Sequence, residues 1–202
     1  MKLYYSPGAC SLAPHIVANE AGLKVDAVKV DIPGKKTETG DDYWQVNFKG
    51  YVPTLQLDNG EMLTEASVIC QYLADQKPDS GLAPKQGTME RYRLMEWLNF
   101  VAAEMHKQFG LLFNPKVTPE MREVQLAVIG RKLKPLDTKL ADKRQYLMGD
   151  KFTVADAYAF TVLRWADKLK IDLNQWPNVK AYFERVGQRA KIRETLKEEG
   201  LA

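Results

Sequence analysis

A change in sequence pattern near residue 80 is the feature that most restricts the fold of this chain. Residues 1–78 mix short alternating strand patterns with helical segments, whereas long stretches of helical periodicity dominate from Met89 onward. Residues 79–88 lie between them and are rich in turn-forming residue types. The sequence therefore predicts an α+β domain over 1–78, a linker over 79–88 and an all-α helical bundle over 89–202.

The first domain has the predicted element order β-α-β followed by β-β-α. Lys2–Tyr5 favours a strand, and Ser11 can cap a helix that ends at Gly22. Apolar and polar residues alternate over 28–32, as in a strand with one buried face. The sequence Asp-Asn-Gly at 58–60 indicates a hairpin turn, after which a helix follows. This order predicts a mixed four-stranded sheet with helices packed against it.

The sequence predicts that the second domain consists of helices. Amphipathic patterns predict long helices from 89 to about 113 and from 119 to about 141. Thr153 and Asp156 have the spacing of a capping box, and Pro177 suits the first turn of a helix that ends near 187. The charged run 191–199 indicates a solvated helix face.

Composition excludes several classes of protein. With 45% hydrophobic and 27% charged residues, the chain belongs with folded globular proteins. A net charge of +3 is too small to indicate a nucleic-acid or anionic-membrane partner, and no apolar run is long enough to span a membrane. We expect a cytoplasmic protein. The two cysteines form neither a disulfide framework nor a zinc motif, so we expect no metal.

Cys10 is the first candidate for chemistry. It follows the turn after the first strand and precedes the capping position Ser11, where a helix N-terminus lowers the pKa of a thiol. The alternative is a small buried apolar residue. Because no second cysteine lies three residues away, redox chemistry here requires an external thiol. Cys70 lies within a predicted helix and reads as a core residue.

Two further segments offer backbone groups to a ligand. Val52-Pro53 precedes a strand and marks either a plain turn or a cis bond that leaves the Val52 backbone free for an extended peptide. Glu65-Ala66-Ser67 opens a helix and combines anion-binding N–H groups with a carboxylate, which suits a zwitterionic amino-acid group. An ordinary helix N-terminus is the alternative reading of the second segment.

The long helix of the second domain carries a polar stripe. Asn99, Ala103 and His106 recur at spacings of four and three, which places Asn99 and His106 within about 20° of each other on an α-helix. Lys107 flanks this stripe. A solvated or hydrogen-bonded histidine without a role in catalysis is the alternative for His106.

Taken together, four motifs give the whole chain a resemblance to the glutathione S-transferase family. They are Tyr-Tyr-Ser-Pro-Gly-Ala-Cys-Ser at 4–11, Gly-Tyr-Val-Pro-Thr-Leu at 50–55, Leu-Thr-Glu-Ala-Ser at 63–67 and Gly-Asp-Lys-Phe-Thr-Val-Ala-Asp at 149–156. Cys10 together with Asn99, His106 and Lys107 is similar to the bacterial beta class. The resemblance implies a thioredoxin-like first domain that holds glutathione and a helical second domain for a hydrophobic electrophile.

The resemblance also implies roles for individual residues. Val52, beside a cis Pro53, would pair with the cysteinyl part of glutathione. Glu65 and the backbone of Ala66 and Ser67 would hold its γ-glutamyl end, and Lys35 its glycyl carboxylate. The remaining implied residues surround the glutathione sulfur: Cys10, Tyr5, Ser11, Asn99, Ala103, His106 and Lys107. This chain has Ala66 where many relatives have Ser, which keeps the backbone N–H but removes a hydroxyl.

The function that we expect is conjugation of the glutathione thiolate to electrophilic hydrophobic compounds, as in detoxification. Glutathione is then a cosubstrate, no cofactor is permanently bound, and the family resemblance implies a homodimer. Two alternatives stay open. One is a glutathione-dependent disulfide reductase or reductive dehalogenase that works through a mixed disulfide at Cys10. The other is a non-catalytic carrier of glutathione or hydrophobic ligands.

Overall fold

The structure is a computed structural model that describes all 202 residues. The chain forms two compact units, each of which is described separately. The first contains residues 1–83 and 189–202, and the second contains residues 84–188. None of the helices combines the length and apolar character of a membrane span.

The first unit is built on a five-stranded mixed sheet with the order β3-β2-β1-β4-β5. The strands are β1 (Lys2–Tyr5), β2 (Asp26–Asp31), β3 (Lys36–Thr37), β4 (Thr54–Gln56) and β5 (Met62–Thr64). The neighbours β1 and β2 run parallel, and the other pairs are antiparallel. The sequence predicts four strands because the two-residue β3 is too short to carry an alternating pattern.

Three helices complete the first unit: α1 (Leu12–Ala21), α2 (Ala66–Asp75) and α9 (Ala190–Glu198). The predicted end of α1 is confirmed, because Gly22 adopts the left-handed conformation that ends a helix and its N–H bonds back to Ala18 and Asn19. Side chains from the sheet and from α1, including Leu3, Leu55 and Ile16, are fully buried. Burial of this apolar surface supplies the main driving force for the unit.

The last helix departs from the domain organisation read from the sequence. The sequence predicts residues 189–202 in the helical domain, yet α9 packs against α1 in the first unit. Ile192 and Thr195 are fully buried there, and the Arg189 guanidinium lies 2.7 Å from the Glu20 carboxylate. Because most residues of α9 are charged, its narrow buried stripe is not recognisable in the sequence, which predicts only the solvated face.

The second unit is helical, as predicted. Its helices are α3 (Met89–Asn99), α4 (Lys107–Leu111), α5 (Pro119–Leu140), α6 (Val154–Leu163), α7 (Trp165–Lys168) and α8 (Pro177–Gly187). A π-helix over Phe100–His106 joins α3 to α4, so the predicted long helix from residue 89 changes its winding midway. The fold class predicted from the sequence, an α+β unit followed by a helical one, is confirmed.

The predicted capping box of α6 is confirmed and forms a buried polar centre of the second unit. The Asp156 carboxylate accepts hydrogen bonds from the Thr153 N–H and hydroxyl, from the Leu147 N–H and from the Tyr182 hydroxyl. Burial raises the pKa of Asp156, and these hydrogen bonds oppose the rise. The interactions fix the start of α6, a helix whose ten residues are all buried.

We expect Asp156→Ala to lower the free energy of unfolding by at least ~3 kcal/mol, because several buried donors lose their acceptor at ~1–3 kcal/mol each. Urea unfolding followed by circular dichroism measures the change. The control is Asp150→Ala at an exposed position of the preceding loop, which should stay within ~0.5 kcal/mol of wild type. A variant at 156 as stable as the control would contradict the structural role of this carboxylate.

Candidate active site

The loop between β1 and α1 holds Cys10 directly before the helix. Ser11 occupies the capping position, but its hydroxyl makes no helix-capping bond. Its oxygen accepts from the Ser6 N–H and donates to the Ser6 carbonyl, and the side chain is fully buried. The structure therefore assigns Ser11 to closure of the loop, with its hydroxyl hydrogen donated to Ser6.

Cys10 lies beside the backbone of Val52. The Cys10 Sγ is 3.3 Å from the Val52 carbonyl oxygen, which accepts the thiol hydrogen bond, and the Val52-Pro53 peptide bond is cis. Of the two backbone groups expected to be free, the carbonyl is thus occupied by the thiol. The Val52 N–H makes no hydrogen bond within the chain. A partly exposed thiol and an unpaired backbone donor therefore lie next to each other.

A buried carboxylate from the end of the chain fixes the other side of this loop. The Glu199 carboxylate accepts the Gly8 N–H at 2.9 Å and lies 2.9 Å from the His15 Nδ1. The Tyr5 ring contacts His15, and desolvation, with Glu199 as the next contribution, raises the pKa of the Tyr5 phenol. Tyr5 is therefore a neutral phenol at physiological pH, suited to hydrogen bonding and unsuited to act as a base.

The ammonium group of Lys35 lies close to two aromatic rings, those of Trp44 and Tyr51. Its Nζ donates to the Gly50 carbonyl oxygen at 2.8 Å and lies 5.4 Å and 5.5 Å from the ring centroids of Trp44 and Tyr51. Gly50 is required here, because it has a φ of 64° and a Cβ atom would lie 2.7 Å from the Trp44 ring. The arrangement holds the ammonium group in place as a candidate partner for a ligand carboxylate.

The segment Glu65-Ala66-Ser67 begins α2, as predicted. Glu65 has a φ of 71°, and its exposed carboxylate lies 2.7 Å from the Lys49 Nζ. The N–H groups of Ala66 and Ser67 belong to the first turn and so lie outside the helical hydrogen-bond ladder. A carboxylate can bind the cationic group of a zwitterion, and the two backbone N–H groups at the helix start can bind its anionic group. Sequence reasoning missed Lys49, which also donates to Thr64 and carries no recognisable motif.

In the second unit, the predicted stripe of Asn99, Ala103 and His106 is altered by the π-helix. Asn99 and Ala103 are exposed, Lys107 is exposed, and His106 is half-buried. The wider turn of a π-helix rotates His106 relative to the position that a 3.6-residue period gives it, so the predicted 20° relation to Asn99 does not hold. Single-turn π-helices are frequent at functional sites.

His106 belongs to an aromatic cluster that we define as His106, Phe113, Tyr158 and Trp165. Its Nδ1 lies 2.6 Å from the Tyr158 hydroxyl, and its ring centroid is 4.9 Å from that of Trp165. Phe113 packs edge-on against Trp165 and is 40% exposed. Phe109 lies nearby in sequence but is a core residue at 1% exposure. Nothing in the sequence pattern identified Tyr158.

The side chains form no cluster of three or more potential metal ligands. Cys70 is fully buried in α2, as predicted, and burial raises the pKa of its thiol. It therefore stays protonated and shielded. The chemistry that the two units can support is thiol chemistry at Cys10, recognition of a zwitterionic peptide in the first unit and binding of an aromatic or apolar molecule in the second.

Comparison with known proteins gives one consistent result. Residues 8–76 match the N-terminal domain of glutathione S-transferases, and residues 100–190 match the C-terminal domain. Glutathione S-transferase GstA of Escherichia coli O157:H7 is 44% identical over the full length of both chains. The solved beta-class glutathione S-transferase of Sphingomonas chungbukensis is 48% identical with a TM-score of 0.96, and both chains are covered completely. A sphingomonad glutathione S-transferase complexed with glutathione is 46% identical with a TM-score of 0.95, again over both whole chains.

The two cysteines should differ sharply in reactivity. We expect a thiol-reactive dye to label one thiol per folded chain, at Cys10, and two thiols in guanidinium chloride, because Cys70 has no exposed surface. Absorbance of the released chromophore counts the reacted thiols. Cys10→Ser is the control and should leave no fast-reacting thiol in the folded protein. Rapid labelling of both cysteines in the folded state would contradict the buried position of Cys70.

Proposed function

This chain belongs to the glutathione S-transferase family, and we propose that it binds glutathione along the Cys10–Val52 edge of its first unit. The protein is a glutathione transferase that uses glutathione as its cosubstrate, resembling the bacterial beta class. The observation that carries the proposed binding mode is the juxtaposition of the Cys10 thiol with the unpaired Val52 N–H. An extended tripeptide can accept a hydrogen bond from such a donor through its own backbone carbonyl, as neighbouring β-strands do.

The ends of glutathione match the charged groups of the first unit. The γ-glutamyl group has an ammonium for the Glu65 carboxylate and a carboxylate for the N–H groups of Ala66 and Ser67. The glycyl carboxylate suits Lys35, whose ammonium is already fixed between two rings. Because Lys49 pairs with Glu65, the ligand ammonium would either share this carboxylate with Lys49 or replace Lys49.

The reaction is attack of the glutathione thiolate on an electrophilic carbon. The thiol proton passes to solvent, a carbon–sulfur bond forms, and a leaving group departs with its electron pair when the electrophile is a haloaromatic compound. A thiol with a pKa of ~8.5 is only a few per cent ionised at pH 7, so lowering its pKa by about two units raises the thiolate fraction roughly 25-fold. The N-terminus of α1, behind Cys10, favours negative charge there.

We assign the apolar part of the electrophile to the aromatic cluster of the second unit. Phe113 offers an exposed face on top of the buried Trp165. His106 is our candidate for stabilising negative charge in the reaction, with Lys107, Asn99 and Ala103 as further ligand-contacting residues. Ser11 and Tyr5 are assigned to the structure of the Cys10 loop and to neutral hydrogen bonding.

We further propose a cytoplasmic homodimer that acts in detoxification. Large apolar side chains such as Phe48, at 82% exposure, and Met89, at 65%, occupy surfaces that a second copy would cover. The physiological electrophile is a hydrophobic compound with an activated carbon.

The proposed function is tested by glutathione binding and turnover. Isothermal calorimetry should show binding of one glutathione per chain, and conjugation to a chloro-nitroaromatic compound should be visible by absorbance. Tight binding without turnover would favour a non-catalytic carrier, whereas absence of binding by folded protein would remove the proposal.

A substitution at Glu65 tests the proposed orientation in the same assays. Glu65→Gln removes the negative charge that faces the ligand ammonium, so we expect glutathione binding to weaken roughly five- to tenfold. The matched control is Glu61→Gln, an exposed carboxylate on the adjacent hairpin, which should bind as wild type does. Equal affinities for the two variants would place the γ-glutamyl group elsewhere.

The position of Cys10 also favours a second activity, thiol–disulfide exchange. Its thiolate would attack oxidised glutathione, form a Cys10–glutathione disulfide and release one glutathione thiolate. Since Cys70 is buried, an external thiol must resolve this adduct. We expect mass spectrometry to detect one glutathione-sized adduct, lost in Cys10→Ser and reversed by added glutathione. Unmodified Cys10 after prolonged treatment with oxidised glutathione would exclude the activity.

A further inference from the structure

A hydrogen bond joins two members of the aromatic cluster, Tyr158 of α6 and His106 of the π-helix. The Tyr158 hydroxyl lies 2.6 Å from the His106 Nδ1, 52 residues away in sequence. Tyr158 itself is 3% exposed and belongs to α6, whose start is fixed by the Asp156 capping box. A rigid helix thus presents a hydroxyl to a histidine at the end of the π-helix.

We infer that Tyr158 is the positioning residue of His106: its hydroxyl donates to Nδ1 and keeps the proton of the neutral imidazole on Nε2. The inference deepens the proposed function, on which it rests only for the participation of His106 in conjugation. Tyr158 acts through His106, and no contact of Tyr158 with substrate is part of the argument.

The length of the hydrogen bond favours one direction over the other. N–H donors bond to oxygen at ~2.7–3.2 Å, whereas O–H donors reach ~2.5–3.0 Å. A separation of 2.6 Å therefore favours the phenol as donor and the imidazole nitrogen as acceptor. Because a neutral imidazole carries one proton, an acceptor Nδ1 requires that Nε2 bear it.

Ring contacts hold the imidazole plane in the same orientation. The Trp165 ring lies 4.9 Å from the His106 ring at an interplanar angle of 65°, and the Tyr158 ring lies edge-on to it at 81°. Trp165 is 7% exposed, so it has little freedom to move aside. With the plane and Nδ1 fixed, the Nε2–H bond points in one direction.

This arrangement defines what His106 can contribute. A neutral Nε2–H donor stabilises negative charge on a sulfur or on a developing leaving group by hydrogen bonding, without a proton transfer. A ring free to exchange tautomers would spend part of its time with an acceptor in that direction. Removing the Tyr158 hydroxyl should therefore slow the chemical step more than it weakens glutathione binding.

The decisive experiment uses long-range ¹H–¹⁵N correlation spectra of the imidazole rings. The chain has only two histidines, and the signals lost in His106→Gln identify the His106 ring. In wild type we expect a protonated Nε2 and an unprotonated Nδ1 whose resonance shows an accepted hydrogen bond.

In Tyr158→Phe the Nδ1 resonance should move toward that of a nitrogen without a donor, and kcat should fall about five- to tenfold with an unchanged glutathione Kd. Tyr92→Phe, at an exposed position of α3, is the control for loss of a hydroxyl.

A wild-type spectrum with the proton on Nδ1 overturns the inference, and so does a Tyr158→Phe variant with an unchanged Nδ1 resonance and unchanged kcat. If Tyr158→Phe does not fold, the wild-type spectrum alone decides the tautomer. Full activity of His106→Gln would instead remove His106 from the proposed function. The two failures are distinguishable because the spectrum is recorded without substrate.

Discussion

The geometry of the Cys10 loop depends on the hydrogen bonds of the buried Glu199 carboxylate. A carboxylate without solvent must be paired or hydrogen-bonded, and Glu199 meets this requirement with the Gly8 N–H and His15. Gly8 is two residues before Cys10, and His15 is one turn into α1. One side chain near the end of the chain thus connects the two segments that flank the thiol. The C-terminal helix has to pack on α1 to deliver that carboxylate.

Much of the fold follows from local patterns in the sequence. The alternation over 28–32, the Asp-Asn-Gly turn and the Gly22 stop each depend on residues that are neighbours in sequence, and each appears in the structure. The capping box of Thr153 and Asp156 is predictable for the same reason. The position of Cys10 before α1 likewise needs only the order of strand, turn and helix.

The features that sequence reasoning missed depend on contacts that a periodic pattern or a residue type does not reveal. The buried face of α9 is specified by contact with α1, some 175 residues earlier, and its few apolar positions are hidden among charges. The π-helix changes the angular position of His106 around the helix axis, and residues 100–106 contain no glycine or proline that would indicate the change. Ser11 has the residue type and position of a helix cap, but Ser6 competes successfully for its hydroxyl.

The side-chain groups of the proposed glutathione site contact other groups of the chain, and these contacts affect the free energy that a bound ligand would gain. The Cys10 thiol bonds to the Val52 carbonyl, Lys49 pairs with Glu65, and Lys35 donates to the Gly50 carbonyl. A ligand that replaces any of these contacts gains only the difference between two interactions. The backbone donors of Val52, Ala66 and Ser67 have no partner within the chain, so a ligand that bonds to them replaces only water. In the proposed binding mode, hydrogen bonds to these backbone donors would compete only with water, while the charged groups would select a ligand that carries an ammonium and carboxylates at the matching positions.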